Sequence, residues 1–430
     1  MARILILIGG HCCTAPRPQK EADTLAAAGH EVTVAGVWFD PELVRRDQDL
    51  LKDRAWTFCP VLDFRPGRPS RPGVRLQANL ARRLFGRFGM ATPALLGYGA
   101  RPMLRFAQTY RADLTLVHSE AGLWVGQRLW HQGYAVGVDF EDWFSQDLLP
   151  SARQQRPTRW IAELEADLLH HCDYRLTTSQ AMANAIAHHY QVPPPTVVYN
   201  VFPQEDLPSS TAERSAGLGS RPVRLHWFSQ TIGPGRGLEL LFTALAQLTV
   251  DVEVHLRGHC SAQTQRWLVQ QLPPGWVDRV YLHPTVPNHE LAACIAKNDI
   301  GLALELSDPP SRDLTVTNKL FQYLQAGLAV IATDTAGQRE VFEQAPAIGH
   351  LVAAGDAIAI AHAIEDLVRN PAQLQAAQAA ARTAAQTRFC WEVEEKTLLS
   401  AAEIALTAVR SGVNRPETVL VPAPRQLVES

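Results

Sequence analysis

Two hydrophobic rhythms alternate along the first half of the chain. Short, nearly continuous runs of Val, Ile, Leu and Thr occupy Arg3 to Ile8, Glu31 to Val37, Leu114 to His118, Ala135 to Phe140, Tyr174 to Thr178 and Thr196 to Tyr199. Runs of this kind mark parallel strands buried on both faces. Between them lie amphipathic stretches such as Gln19 to Ala28 and Ala121 to Gln132, stopped by Gly29 and Gly133, glycines of the kind that close a helix. Strand, helix, strand at this spacing predicts right-handed βαβ units in a parallel sheet.

After a polar, turn-rich stretch from Pro203 to Pro222 the pattern restarts, with strands at Val223 to Phe228, Val252 to Arg257, Val280 to His283, Ile300 to Leu304 and Ala329 to Thr333. The expectation is an α/β protein of two doubly wound, Rossmann-like domains, 1–205 and 206–388. A helix over 389–410 is expected to pack back toward the N-terminal domain, and a Pro-rich tail over 411–430 to be flexible. The length of 430 residues agrees, being too great for one ordinary core. Ligands of such sheets bind at the carboxyl ends of the strands, so two such edges are expected to face one another across a central cleft.

A net charge of −3 excludes a molecule built as a whole to coat nucleic acid or membrane, so any such partner must meet a local patch. The seven cysteines form no C-x-x-C pair, which argues for reduced thiols and against a disulfide framework or a zinc site. The apolar start, Met1 to Ile8, is too short for a signal peptide, and no run approaches the roughly 18 apolar residues of a spanning helix. The expected location is cytoplasmic.

One segment departs from the average. Arg65 to Arg111 holds ten arginines and no acidic residue. Leu76, Leu80, Leu84 and Phe88 recur every four positions within it, predicting an amphipathic helix with a basic flank. A solvated basic face and a site for an anionic acceptor or membrane surface both fit. Nucleic acid fits less well, because aromatic residues do not interleave with the arginines. Arg82, Arg83 and Arg87, with Arg17 of the first loop, are the candidate acceptor or membrane contacts, and the location would then be peripheral on the inner face of the cytoplasmic membrane.

The densest chemistry lies between Thr315 and Asp334. A polar loop with capping hydroxyls leads into a short helix, Asn318 to Ala326, then Gly327 and a buried strand. The free N–H groups at the helix start, with the helix dipole behind them, suit an anion such as a diphosphate. Lys319 adds a mobile positive charge and Gln322 a hydrogen-bonding group for a ribose. From the pattern alone, an ordinary surface loop ahead of a core helix fits equally well.

The run Asn318-Lys319-Leu320-Phe321-Gln322-Tyr323 through Asp334 resembles the signature of family-four-type retaining glycosyltransferases, the glycosyl transferases group 1. Trp227 to Leu238 resembles the same family's glycine-rich turn, and Val280 to Leu304 its strand, V-P-x-x-E-L turn and strand beside the nucleotide base. The N-terminal half matches more loosely, through the first strand, loop and helix, His118, Asp139-Phe140-Glu141-Asp142 and Asn200. The resemblance implies the GT-B fold and transfer of a sugar from a nucleotide-diphosphate sugar to an acceptor hydroxyl with retention, in glycan, polysaccharide or glycolipid biosynthesis. No metal and no cofactor are implied, the nucleotide sugar being a substrate.

On the donor side the resemblance implies Gly10, Thr231, Arg236, Gly237, Thr317, Asn318, Lys319 and Gln322, and on the catalytic side His118, Asp139, Glu141 and Asp142. The acidic turn and His118 are equally readable as structural groups. The sequence also departs from the family. Thr231 stands where its pyrophosphate Arg is expected, leaving Arg236 as the turn's only cation; Gln322 stands where a ribose-binding Glu is expected, and Leu314 where a paired Glu is expected, with Asp313 adjacent. A nucleotide-sugar epimerase on the same fold, or a catalytically inactive scaffold, are the alternatives.

Overall fold

The computed structural model describes residues 1–207 and 221–411, so the expected tail lies almost wholly outside the described residues. The chain divides into two compact units. The first comprises Met1–Leu176, Tyr190–Thr196 and the chain from Leu398 on; the second comprises Thr177–His189 and Val197–Thr397.

The first unit is built on strands β1 (Arg3–Leu7), β2 (Glu31–Trp38), β3 (Thr57–Asp63), β4 (Leu114–Val117), β5 (Val136–Phe140), β6 (Tyr174–Thr177) and β7 (Thr196–Val197), in the spatial order β3-β2-β1-β4-β5-β6-β7. Ile4, Leu5, Ile6 and Leu7 of β1 are fully buried, because β1 is central and helices cover both faces of a parallel sheet. The pairings of β1 with β2 and with β4 are parallel. Strand β3 is an addition to the sequence reading. It is an edge strand, only half-buried, with Pro60 inside it, and so lacks the continuous apolar run by which its neighbours are recognised.

The second unit repeats the design with β8 (Val223–Thr231), β9 (Val252–His259), β10 (Val280–His283), β11 (Ile300–Ala303), β12 (Ala329–Thr333) and β13 (Gly349–Val352), in the order β10-β9-β8-β11-β12-β13. Its core gathers Leu225, Trp227, Val254, Leu302 and Ile331. β13 is likewise an addition, a short edge strand that opens on a glycine. The last helix spans Trp391–Ser411.

In both units the strand order reverses at one place, between β1 and β4 in the first and between β8 and β11 in the second. At such a switch point the loops leave in opposite directions and open a crevice beyond the carboxyl ends of the strands. The positions that matter are therefore the residues that follow β1, β4, β8 and β11.

Candidate active site

In the first unit, Gly9 and Gly10 follow β1. The Gly10 carbonyl accepts from Val37 N–H at 3.0 Å, and a Cβ on Gly9 would come within 3.0 Å of Ser119 Oγ. The loop is thus pressed between β2 and the head of the helix Ser119–Trp130. His118, at the end of β4, is 2% exposed. Its Nδ1 lies 2.8 Å from Glu141 Oε1 and its Nε2 2.8 Å from Glu21 Oε2. Glu21 is also the acceptor for the Tyr174 hydroxyl.

With a carboxylate at each nitrogen, His118 is held as an imidazolium. Burial alone would lower its pKa, but Glu21 and Glu141 outweigh burial and push it up to about 10. His118 therefore presents no free nitrogen for a sugar or a proton transfer; it acts as a fixed cation that orients Glu141. Burial would raise the Glu141 carboxyl, and the His118 contact instead holds it below the ordinary carboxylate range. The Glu141 side chain is 31% exposed.

Asp139 is buried against Arg17, with Nε to Oδ2 at 2.6 Å. This corrects the grouping of Arg17 with the surface arginines: a carboxylate at the end of a buried strand needs a counter-charge, and Arg17 supplies it. Glu21, His118 and Asp139 bring ligand-type atoms within 4.8 Å of one another, but Arg17 and the imidazolium already balance those carboxylates. Asp142 is half-buried in the following turn. That turn is anchored by Glu165, which accepts from Ser145 N–H at 3.0 Å and from the Tyr190 hydroxyl at 2.6 Å.

In the second unit, the turn after β8 ends on Gly237, whose φ of 82° and close approach to the Leu304 carbonyl leave no room for a side chain. Arg236 Nη1 donates to Ser229 Oγ at 3.1 Å, and Thr231 closes β8 at the surface. Arg312, which sequence reasoning missed, donates from Nη1 to the Gly235 carbonyl at 3.2 Å. Arg236 is the only cation within the turn, and Arg312, from the helix Pro310–Leu314, brings a second guanidinium to it. Neither makes an ion pair with a described carboxylate. Only the proximity of Arg312 to this turn, invisible across 77 residues of sequence, reveals the pair.

Thr317 begins the helix Asn318–Ala326 without giving it a side-chain cap. The Asn318 side chain accepts from Asn200 at 2.9 Å. Lys319, read as a mobile charge, is fixed: its ammonium lies 2.5 Å from Glu305 Oε1, with the side chains 12% and 18% exposed. Burial would raise Glu305, but Lys319 first, then the Thr317 hydroxyl and Arg312, keep it ionised. The physical reason is that a largely buried ammonium needs a counter-ion. Gln322 is buried, and its Oε1 has no hydrogen-bond partner among the described residues. Asp313 Oδ1 accepts from Ala336 N–H at 3.3 Å, at the start of the helix Ala336–Gln344, and is occupied as a cap.

Two doubly wound parallel sheets, each with charged and glycine-rich loops at its switch point, are the architecture of the GT-B fold. The chain belongs to the group 1 and family 4 glycosyltransferases: residues 20–205 match the model described as Glycosyltransferase Family 4, and residues 225–370 the one described as Glycosyl transferases group 1. No curated protein matches it in sequence. Among solved structures it is similar to sucrose-phosphate synthase from Thermosynechococcus elongatus, with a TM-score of 0.71 and 17% identity over 95% of this chain and 100% of that one. It is also similar to Anabaena HepE in complex with UDP and glucose, with a TM-score of 0.67 and 18% identity over 94% and 100%. A third is WaaG, a glycosyltransferase involved in lipopolysaccharide biosynthesis, with a TM-score of 0.64 and 14% identity over 93% and 99%. At these identities the likeness is one of fold.

Proposed function

We propose that the chain transfers a sugar from a nucleoside-diphosphate sugar, bound by the second unit, to an acceptor hydroxyl, with retention and without a metal. The observation that carries the donor assignment is that Arg236 of the turn after β8 and Arg312 of the helix Pro310–Leu314 meet at that turn, at the β8/β11 switch point, with the uncapped start of the helix Asn318–Ala326 following β11. Cations not already paired with carboxylates and free helix N–H groups are what a leaving diphosphate requires. The complex of HepE with UDP and glucose, on the same fold, supports the same ligand class.

In this reading the bond from the sugar carbon to the diphosphate oxygen breaks as the acceptor oxygen bonds to that carbon from the same face, and the acceptor proton passes to the departing phosphate. Arg236 and Arg312 stabilise the charge that develops there, Lys319 with Glu305 fixes the helix start, and Gln322 Oε1 accepts from a ribose hydroxyl. Glu141, oriented by His118, aligns the acceptor hydroxyl. Calorimetric titration of UDP, GDP and dTDP tests the donor site: one of them should bind, and Arg236→Ala should weaken it. Product analysis tests the chemistry, since an epimerised nucleotide sugar formed without any acceptor would contradict transfer.

A peripheral membrane location belongs to the same proposal. The helix Ser70–Phe88 exposes Leu76 (71%), Leu80 (54%) and Phe88 (67%) while Ala78 and Ala81 face inward. Of the ten arginines of the basic segment only Arg65 and Arg68 have carboxylate partners among the described residues, both on Asp63. An apolar row flanked by unpaired arginines suits an anionic bilayer surface. No described helix is long and apolar enough to cross a membrane.

A further inference from the structure

The first unit holds an open groove of about 640 Å³ that the donor chemistry does not use. One wall is the helix Ser70–Phe88, through Ala78 and Arg82. The floor is Leu95 and Leu96, both buried, and the far wall is Leu148, Ala152 and Arg156 from the stretch that follows β5. That stretch leaves the sheet at the carboxyl end of β5, as Glu141 does.

Besides Arg82 and Arg156 the lining is mostly aliphatic, with one aromatic ring, Tyr98, and one amide, Gln155. Arg156 is tied down by an ion pair with Glu120 and by a 3.3 Å bond to the Leu95 carbonyl, and its Nε is buried without a partner. Among the described residues Arg82 bonds to Asn79 Oδ1 and the Ala78 carbonyl and pairs with no carboxylate. Glu120 is spent on Arg156, so the groove keeps a net positive charge. A free glycan would call for several carboxylates and amides facing its hydroxyls, whereas the lining holds no carboxylate and a single amide, Gln155.

We infer that this groove is the acceptor site and that the acceptor is a phosphate-bearing lipid, its chain along Leu95, Leu96 and Leu148 and its phosphate on Arg82 and Arg156. Naming the occupant the acceptor rests on the transferase reading; the affinity for such a lipid does not. The site is distinct from the exposed row of Leu76 and Leu80, which would rest on the bilayer from which a lipid is drawn.

Calorimetry with the full chain separates the possibilities, using dihexanoyl phosphatidic acid below its micellar concentration, dihexanoyl phosphatidylcholine and glycerol 3-phosphate. Phosphatidic acid should bind at least tenfold more tightly than either of the others. Ala152→Trp, at an exposed lining position, should fill the groove and weaken that binding tenfold or more. Arg82→Gln should weaken phosphatidic acid tenfold or more and weaken phosphatidylcholine, whose phosphodiester is offset by its own ammonium, less. Equal affinity for phosphatidic acid and glycerol 3-phosphate would show an anion site without a chain site, and indifference to Ala152→Trp would place the lipid elsewhere; either overturns the inference. Nucleoside diphosphate titrated into the same samples keeps the two readings apart. Its binding should survive both substitutions, and its failure in the wild type would count against the donor site alone.

Discussion

Arg236 and Lys319 carry the same formal charge but are not equivalent toward a diphosphate. Lys319 is already satisfied by Glu305, whereas Arg236 and Arg312 hydrogen-bond to neutral groups, the Ser229 hydroxyl and the Gly235 carbonyl, and make no ion pair with a described carboxylate. A charged hydrogen bond to phosphate contributes about 1.5 to 3 kcal/mol, roughly ten- to hundredfold in Kd. Arg236→Ala and Arg312→Ala should each weaken nucleoside diphosphate binding by that order in calorimetry, and an unchanged Kd for Arg312→Ala would remove it from the site. Gln322→Leu should weaken a nucleoside diphosphate several-fold while leaving inorganic pyrophosphate alone, since the group it removes serves the ribose. His118 makes a pH prediction. Its folded pKa of about 10 lies above the ordinary value of 6.5, so its stabilisation is complete below about pH 6.5 and is lost as pH rises through about 10. The advantage of the wild type over His118→Gln in denaturant midpoint should therefore be flat in mild acid and shrink between about pH 7 and 10. A constant difference across that range would mean that His118 is not held as an imidazolium.

Among the elements, the turn after β8 tolerates little change at Gly237. Gly237→Ala would force a Cβ onto the Leu304 carbonyl at a φ of 82°, and strain of this kind costs about 1 to 3 kcal/mol. The variant should lose both thermal stability and nucleoside diphosphate affinity. The helix Ser70–Phe88 predicts the reverse pattern. Leu76→Gln with Leu80→Gln should leave stability unchanged, because both side chains are exposed, and should reduce sedimentation with anionic vesicles. That sedimentation should also fade with salt, since exposed charges are screened over about 10 Å at 0.1 M. The central strands of both sheets were legible in the sequence because burial on both faces writes them as continuous apolar runs. Edge strands β3 and β13 carry no such run. The four-residue apolar spacing did mark the basic helix, yet Leu76, Leu80 and Phe88 face solvent, Leu84 is half-buried, and the smaller Ala78 and Ala81 face inward, which spacing alone does not distinguish. Arg312 escaped assignment, and Arg17 was grouped with the surface arginines, because their partners, Gly235 and Asp139, lie 77 and 122 residues away.

For the whole molecule, the family is fixed by matches over residues 20–205 and 225–370, and the remaining question is whether the two switch points carry transfer from a nucleotide sugar. The charges divide between the units in the way such a reaction needs: unpaired guanidiniums at the second switch point, and a carboxylate oriented by a buried imidazolium at the first. The most direct test is the release of nucleoside diphosphate by the purified chain from a panel of UDP-, GDP- and dTDP-sugars, repeated with the Arg236→Ala, Arg312→Ala double variant. The account predicts release from one donor class, faster when the acceptor is supplied, and its loss in a double variant that remains folded. Release that persists undiminished in that variant, or no binding or turnover of any nucleotide sugar by the folded wild type, would contradict it.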